Sequence, residues 1–218
     1  MKRIRLAGLC ATLLLALGAA TAQSSSAALP EFSAPFGKTF TSSSGQSRLR
    51  AVSGKRVICA ASTDAGEITG PKAGSVTITW TGCTLQKAPC FTPGSAPGEI
   101  VSPTYAMTVG YINKAGKTVG IDLTEPSGGP FLLFTCKLGT RVLVLGSVIG
   151  EITPVNKLVT PSETFLLRFQ QNSGVQKVQN LEGEPTDTLE VSFLGPFQKA
   201  GLRMADSILF GEPVTLSA

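Results

Sequence analysis

The chain has 218 residues, of which 42% are hydrophobic, and its 19 Lys and Arg outnumber its 14 Asp and Glu to give a formal net charge of +5. It contains no histidine. This excludes Ser-His and Cys-His nucleophile pairs, histidine general bases and histidine metal ligands. Any acid–base chemistry would have to use carboxylates, or a lysine beside a serine.

The N-terminus has the three parts of a secretory signal peptide. Basic residues at positions 2–5 precede an apolar stretch over 6–20, and Ala20-Thr21-Ala22 supplies the small residues of a cleavage site. The apolar stretch is shorter than the roughly 20 residues of a membrane span, and no later stretch reaches that length. We therefore predict that residues 1–22 are removed, that the protein is secreted or held at the cell surface, and that the mature chain spans no membrane.

Removal of the signal would nearly balance the charge, leaving 16 basic residues against 14 acidic ones. A chain with so small an excess has no overall basic field, so we predict no nucleic-acid partner. Basic residues come close together only at Arg48 and Arg50 and at Lys55 and Arg56, which is typical of a solvated strand face and turn. The predicted partner is an unknown extracellular ligand or cell-surface component.

Short apolar segments between turn residues dominate the rest of the chain. A Ser/Ala-rich segment over 23–35 predicts a flexible lead-in, followed by a single β domain over 36–218. Apolar and polar residues alternate at 76–80, 105–111, 119–123, 165–169 and 189–193, as in half-buried strands, and continuous apolar runs at 131–134 and 142–145 predict central strands. The best helix candidate, 197–204, is interrupted by Gly201.

Many short strands with regularly spaced turns predict an all-β fold. We expect an antiparallel β-sandwich with a jelly-roll-like arrangement, and the alternative is a closed antiparallel β-barrel. Trp80, Tyr105 and Tyr111 occupy alternating positions. This placement favours a role in the core over a platform on which sugars stack.

Four cysteines remain once the signal is removed: Cys59, Cys83, Cys90 and Cys136. An even number in an exported chain indicates two disulfides, for which three pairings exist. We favour Cys83 with Cys90, which a turn-like run of six residues separates, and Cys59 with Cys136, which lie in two strand-like triplets. A zinc site of four thiolates is the alternative, but the C-x-x-C pairs typical of such a site are missing.

Several segments are informative when they are taken together and in order. They include Gly66-Glu-Ile-Thr-Gly-Pro-Lys72, Thr81-Gly-Cys83, Gly110-Tyr-Ile-Asn-Lys114 and Pro185-Thr-Asp-Thr-Leu-Glu190. In this combination the chain, from Cys59 to its C-terminus, resembles a group of exported actinobacterial proteins of unassigned function. The resemblance implies export and a β-rich domain, and it brings no catalytic residues with it.

Glu182, Glu184, Asp187 and Glu190 form the densest acidic cluster. The cluster is interpreted as a polar loop that leads into a strand, and the alternatives are a calcium site or the carboxylate pair of a glycosidase. Most other acidic residues, such as Asp64, lie beside turn residues. Only Asp122 and Glu190 fall within alternating strands, each in the phase that faces solvent.

The sequence alone does not identify a function. We predict an exported, non-catalytic β domain with a binding or cell-surface role, without a cofactor and without catalytic, cofactor-binding or metal-binding residues. Two alternatives stay open. One is a carbohydrate-active enzyme that uses a carboxylate pair, and the other is a carrier that holds an apolar ligand inside a barrel.

Overall fold

The computed structural model describes residues 30–33, 35–137 and 139–218, and every helix or strand element among them is a β-strand. The all-β prediction is therefore confirmed, while the predicted signal peptide lies outside the described residues. The strands are β1 (Glu31–Phe32), β2 (Lys38–Ser44), β3 (Ser47–Ala51), β4 (Arg56–Cys59), β5 (Ala61–Ile68), β6 (Ala73–Thr81), β7 (Thr84–Leu85), β8 (Ala88–Phe91), β9 (Ile100–Val101), β10 (Tyr105–Asn113), β11 (Thr118–Thr124), β12 (Leu132–Cys136), β13 (Thr140–Leu145), β14 (Val148–Thr153), β15 (Leu158–Val159), β16 (Phe165–Phe169), β17 (Gln171–Asn172), β18 (Val175–Gln176), β19 (Glu190–Phe193), β20 (Gln198–Phe210) and β21 (Val214–Ser217).

Eight strands close into an antiparallel barrel, which we call the first barrel. Their order is β16, β14, β11, β10, β6, β5, β2 and β20, and β20 pairs with β16 to complete the circle. Of the two predicted architectures, the closed barrel is confirmed, and the sandwich is not what the chain forms. Both architectures hide one face of each strand, so both produce the same alternation of apolar and polar residues. Closure depends instead on which distant strands meet.

The other long-range pairings form a second circuit, which we call the second ring. Residues 200–203 of β20 pair with β3, and the pairings continue through β4, β7, β8, β12, β13 and β19 back to β20. With 13 residues, β20 is long enough to belong to both circuits. Its first half pairs within the second ring, and its second half pairs within the first barrel. The helix candidate at 197–204 is therefore wrong, because almost all of it lies in this shared strand.

A small sheet of β1, β21 and β15 packs against one end of the first barrel. Phe32 of β1 is buried there, with its ring centroid 6.4 Å from that of Phe165 and 6.5 Å from that of Phe210. The predicted flexible lead-in is wrong for Glu31 and Phe32, because both pair with β21. None of the described residues belongs to a helix with the length and apolar character needed to cross a membrane.

The disulfides join Cys59 to Cys83 and Cys90 to Cys136, so the predicted pairing is wrong although all four cysteines are bonded. The hairpin of β7 and β8 explains the difference, because it lies between β4 and β12. Cys83 and Cys90 are neighbours across the hairpin, and the Cys90 N–H donates to the Cys83 carbonyl at 2.9 Å. Each also has a cysteine on its outer side: Cys136 is the register partner of Cys90, and Cys59 ends β4. The short sequence separation favours only the hairpin neighbour.

Candidate functional site

A groove of about 720 Å³ lies on the outer face of the first barrel, between β10 and β11 and the segment over 179–187. We call this segment the groove loop. Its ends meet where the Asp187 N–H donates to the Gln179 carbonyl at 2.9 Å, and it is fixed to β10 by the Glu182 N–H, which donates to the Tyr111 carbonyl at 2.6 Å. Leu181 is buried against Gly110, where a Cβ atom would lie 2.6 Å from Leu181 Cδ1. A glycine is therefore required at this point of β10 for the loop to dock.

Three of the four clustered acids line this groove. Glu182, Glu184 and Asp187 lie on the groove loop, and Asp122 of β11 joins them from the barrel. Glu190 does not, because it lies on β19 in the second ring. The groove therefore combines the acidic cluster with a strand carboxylate that is distant in sequence.

The groove also contains basic and neutral polar groups. Lys72 and Lys114 line it, together with Thr108, Ser147 and Gln179. Hydrogen-bond donors and acceptors therefore converge on one concave surface, as they do in sites that bind polar ligands.

Asp122 is the most perturbed group of the groove. It has the outward phase expected from the sequence, but the groove loop half-buries it. Burial raises the pKa of Asp122 to about 6, the neighbouring Ser147 hydroxyl lowers it, and the negative charges of Asp187 and Glu184 raise it further. Asp122 Oδ1 and Ser147 Oγ are buried and make no hydrogen bond of normal geometry with the described residues. Buried polar atoms of this kind are usually satisfied by water or a ligand.

Two further carboxyl groups lie inside the first barrel, where the sequence analysis placed none. Asp64 of β5 and Asp206 of β20 are only 7% and 2% exposed. They flank β2, and the Ser42 hydroxyl of that strand donates to Asp64 Oδ2 at 2.5 Å. The prediction that Asp64 lies at a turn is wrong. Its segment contains serine, threonine and glycine without an apolar alternation, so the strand has no sequence signal.

The interior pair is held without a basic partner. Burial raises the pKa of Asp64 to about 6, although hydrogen bonds from Ser42 and Ser62 lower it. Burial also raises the pKa of Asp206 to about 8, and the charge of Asp64 adds to this effect. The cavity that the two aspartates line has a volume of about 10 Å³ and contains no Lys or Arg. Two carboxyl groups in such a site share a proton near neutral pH.

The cavities inside the first barrel and the second ring are too small for a ligand. The second ring encloses an apolar cavity of about 30 Å³, and the cavity beside Asp64 is about 10 Å³. Each is large enough for about one or two water molecules, whereas ligand sites measure roughly 300–1,000 Å³. Within the described residues, these two interior cavities are too small for the apolar ligand that the carrier alternative requires.

The aromatic residues behave as core residues. Trp80 is buried and its indole N–H donates to Met204 Sδ at 3.3 Å, while the buried Tyr105 hydroxyl donates to the Phe131 carbonyl at 2.8 Å. The predicted core role is confirmed for these two. Tyr111 is half-buried and also lines the groove, so it is the one aromatic of the three that a ligand there would reach.

Among the described residues, no group of three or more His, Cys, Asp or Glu side chains is placed to hold a metal ion. The calcium interpretation of the acidic cluster thus has no support from this geometry. Comparison of the chain with protein-family models, with curated proteins and with solved structures finds no match. The resemblance to exported actinobacterial proteins remains a prediction.

Proposed function

We propose that the protein is an exported binding protein that holds a neutral carbohydrate in the groove, without turning it over. The observation that carries the proposal is the Asp122 carboxylate, which is half-buried in the wall of a 720 Å³ groove and whose Oδ1 has no partner among the described residues. A ligand hydroxyl in the groove would donate to this carboxylate, and the buried Ser147 hydroxyl beside it would hold the carboxylate in place.

The charges of the groove favour a neutral, hydroxyl-rich ligand over an anion. Carboxylates at 122, 182, 184 and 187 outnumber the ammonium groups of Lys72 and Lys114. An anionic ligand would meet net repulsion, whereas sugar hydroxyls donate to carboxylates and accept from ammonium groups. Tyr111 adds an aromatic surface against which a sugar ring could pack.

The test is titration calorimetry with neutral hexasaccharides of glucose, mannose, xylose and N-acetylglucosamine. We expect one class to bind the wild type. Asp122→Asn, which keeps the shape and removes the charge, should weaken binding at least about tenfold, equivalent to roughly 1.4 kcal/mol. Ser147→Ala should weaken it as well.

Glu190→Gln is the matched control, because it removes a carboxylate that is exposed and outside the groove. It should bind like the wild type. The proposal is contradicted if no hexasaccharide binds, or if Asp122→Asn and Glu190→Gln bind as tightly as each other.

Hydrolysis of a glycoside is the second candidate, and one observation favours it. The pKa of Asp122 is raised to about 6 by burial, which would suit a general acid, and Asp187 and Glu184 are close enough to affect that pKa. If the wild type turns over glycosides between pH 5 and pH 7, and Asp122→Asn reduces the rate about a hundredfold or more, this candidate replaces the non-catalytic one.

Export is supported by the signal-like N-terminus and by the two disulfides, which form and persist in oxidising compartments. Mass spectrometry of protein from culture medium should find an N-terminus at or near Gln23. Intact Met1 on the secreted protein would contradict cleavage of the predicted signal.

A further inference from the structure

Four arginines share the outer face of the second ring. Arg48 and Arg50 point outward from β3, in the phase opposite to the buried Ser47 and Ala51. Arg48 is the register partner of Arg203 on β20, and Arg50 is the register partner of Arg56 on β4. Register partners on antiparallel strands project to the same side. Together with Lys87 at the tip of the β7–β8 hairpin, we call these four arginines the basic face.

The segments that form this face, 47–58, 84–87 and 198–203, and the neighbouring segment 171–177 contain no Asp or Glu. On the next strand, Glu190 of β19 is opposite Lys199, which is not one of the four arginines. The only salt bridge among the described residues joins Lys157 to Glu163, outside all of these segments. Residues 23–218 have 16 basic and 14 acidic side chains, and this near balance does not reveal the local excess of positive charge that strand register creates.

The arginines are held in an unfavourable arrangement. Like charges directly opposite each other on neighbouring strands destabilise a sheet. In addition, the Nε atoms of Arg48 and Arg50 are buried without an acceptor among the described residues. A buried donor without an acceptor is costly, and in a native structure it is a place where a water or an ion is expected. A simple solvated surface would have neither feature.

The hairpin of β17 and β18 closes one border of the face. It packs on the outer side of Gly201, where a Cβ atom would lie 2.5 Å from Gln171 Cβ. Gln176 of this hairpin is 1% exposed, and its Oε1 accepts from the Leu202 N–H at 3.0 Å, but its Nε2 has no acceptor in the part of the chain that the structure describes. Gly201 is the register partner of Arg50. Gln176 Nε2 is therefore a third buried donor, beside those of Arg48 and Arg50.

A cleft of about 450 Å³ forms the other border. It lies between the turn that holds Gly54 and Lys55 and the hairpin tip of Gln86 and Lys87, with Arg56 in its lining. Gln86 and Lys87 both have left-handed backbone conformations, with φ of 50° and 68°. The two-residue turn between β7 and β8 requires such conformations at both positions, and it fixes Lys87 at the tip of the hairpin. Lys55 contributes less, because its Nζ lies over the Phe193 ring, 5.8 Å from the centroid.

We propose that the basic face binds an anionic polysaccharide, one whose sugar units carry carboxylate, sulfate or phosphate groups. The four arginines lie on three adjacent strands, β20, β3 and β4. Alternate residues on a strand are roughly 7 Å apart and neighbouring strands roughly 5 Å apart, so several arginines can meet successive anionic groups along a chain. Arginine binds such oxyanions through two parallel hydrogen bonds. This site is separate from the groove and does not depend on the function proposed for it.

The composition of the face favours a polysaccharide over a nucleic acid. Proteins that bind single strands stack the bases on aromatic side chains. The outward residues of the face and its cleft offer Ile58 and Thr84 between the basic residues, and no aromatic residue. Charge contacts without a stacking surface fit a ligand that presents anionic groups and no bases.

The test compares binding of the full-length secreted protein to dextran sulfate and to neutral dextran of equal length, over a range of salt concentrations. The variant Arg56→Thr/Arg203→Thr removes two exposed charges from the face. We expect the wild type to bind only the sulfated polymer at about 0.15 M salt, and the variant to bind it at least about tenfold more weakly. The salt dependence of the variant should also be shallower, because fewer counterions are released on binding.

The control variant Lys117→Asn/Arg141→Thr removes two exposed charges outside the basic face, one at the β10–β11 turn and one on β13. Asparagine is compatible with the left-handed backbone of position 117, where φ is 51°. This variant should bind dextran sulfate within about twofold of the wild type. Equal losses in the two variants would mean that only net charge matters, and would overturn the proposal. It would also be overturned by an absence of binding at about 0.15 M salt, or by tighter binding of single-stranded DNA than of dextran sulfate.

Discussion

The first barrel and the second ring share one strand, but their interiors differ in chemistry. The first barrel encloses Asp64 and Asp206, whereas the cavity of the second ring is lined by apolar side chains apart from Ser47. Buried carboxyl groups without a cation are tolerated only while a proton neutralises them. We therefore expect the stability of the first barrel to depend on pH through these two groups, whereas no carboxyl group lines the cavity of the second ring.

The two circuits also differ in how their strands are joined. In the first barrel, β5 and β6 share eight register pairs and β2 and β5 share seven. In the second ring, β4 pairs with β7, and β8 with β12, through only two register pairs each. The disulfides lie at these two short joints. The joints of β7 with β8 and of β19 with β20 are as short, but there the chain itself connects the two strands. Long hydrogen-bonded ladders hold the first barrel together, and disulfides reinforce the two short joints of the second ring that join strands distant in sequence.

The outer surfaces show a third contrast. The groove on the first barrel gathers carboxylates, and the basic face gathers arginines on the second ring. Residues 23–218, with 16 basic and 14 acidic side chains, can thus present two surfaces of opposite sign. Net charge therefore constrains the partners of a protein only when its charges are evenly distributed.

Breaking a disulfide should give the largest effect. The Cys90–Cys136 bond closes a loop with a sequence separation of 46, so Cys90→Ala/Cys136→Ala should lower the free energy of unfolding by about 4 kcal/mol on the loop-entropy model. Urea denaturation measures the loss. Hydrogen exchange should show that amides of β8 and β12 lose protection before those of β5 and β6.

The pairing itself can be checked by peptide mapping without reduction. Peptides that contain Cys59 and Cys83 should stay linked, as should those that contain Cys90 and Cys136. If β5 and β6 lose protection together with β8 and β12 in the variant, the two circuits unfold as one unit and the contrast in their joints has no consequence for stability.

The interior pair should give the next largest effect. Aspartates in the unfolded chain titrate near pH 4, whereas the folded-state pKa is about 6 for Asp64 and about 8 for Asp206. Between these values the folded protein binds more protons than the unfolded chain. The contribution of the two aspartates to the free energy of unfolding is therefore fully present below about pH 4 and is lost as the pH rises towards 8. Asp206→Asn keeps the neutral form at every pH and should remove much of this dependence.

We expect the wild type to lose on the order of 3 kcal/mol more than Asp206→Asn between pH 5 and pH 8.5 in urea denaturation. Glu190→Gln is the control, since its carboxylate is exposed, and its profile should follow that of the wild type. Parallel profiles for the wild type and Asp206→Asn would show that the interior pair does not control the stability of the first barrel.

The strands with apolar alternation were predictable, and those without it were not. Val76, Ile78 and Trp80 lie inward on β6, as their spacing indicates, because one apolar face must be hidden. The segments of β2 and β5 instead place serines and an aspartate in the inward phase. A strand is recognised from the sequence by apolar residues at every second position, so a strand whose inward residues are polar is not recognised. For this reason the sequence did not predict that Asp64 and Asp206 lie inside the barrel.

The candidate site was half predictable. The cluster of Glu182, Glu184 and Asp187 is evident in the sequence, but its partner Asp122 is about 60 positions earlier and reaches it only because Leu181 docks on β10.

The basic face was missed for a related reason. Arg203 is far from Arg48 in sequence, and the register of β20 against β3 brings them together. Contacts between distant segments depend on strand register, which local patterns do not specify.

The smallest expected effect tests whether the basic face costs stability. Arg56 is exposed and directly opposite Arg50, so Arg56→Thr should raise the free energy of unfolding by about 0.5 kcal/mol, because it removes a like-charge pair and threonine suits a strand. Lys199→Thr is the matched control, since Lys199 is opposite Glu190 and its loss removes an attractive pair, which should lower stability by a few tenths of a kcal/mol. Both differences should shrink in 1 M salt, where screening acts within roughly 3 Å.

If Arg56→Thr lowers stability as Lys199→Thr does, the arginines do not repel each other in the fold. A variant that gains stability and loses dextran sulfate binding would instead show that the second ring keeps its unfavourable charges because a ligand neutralises them.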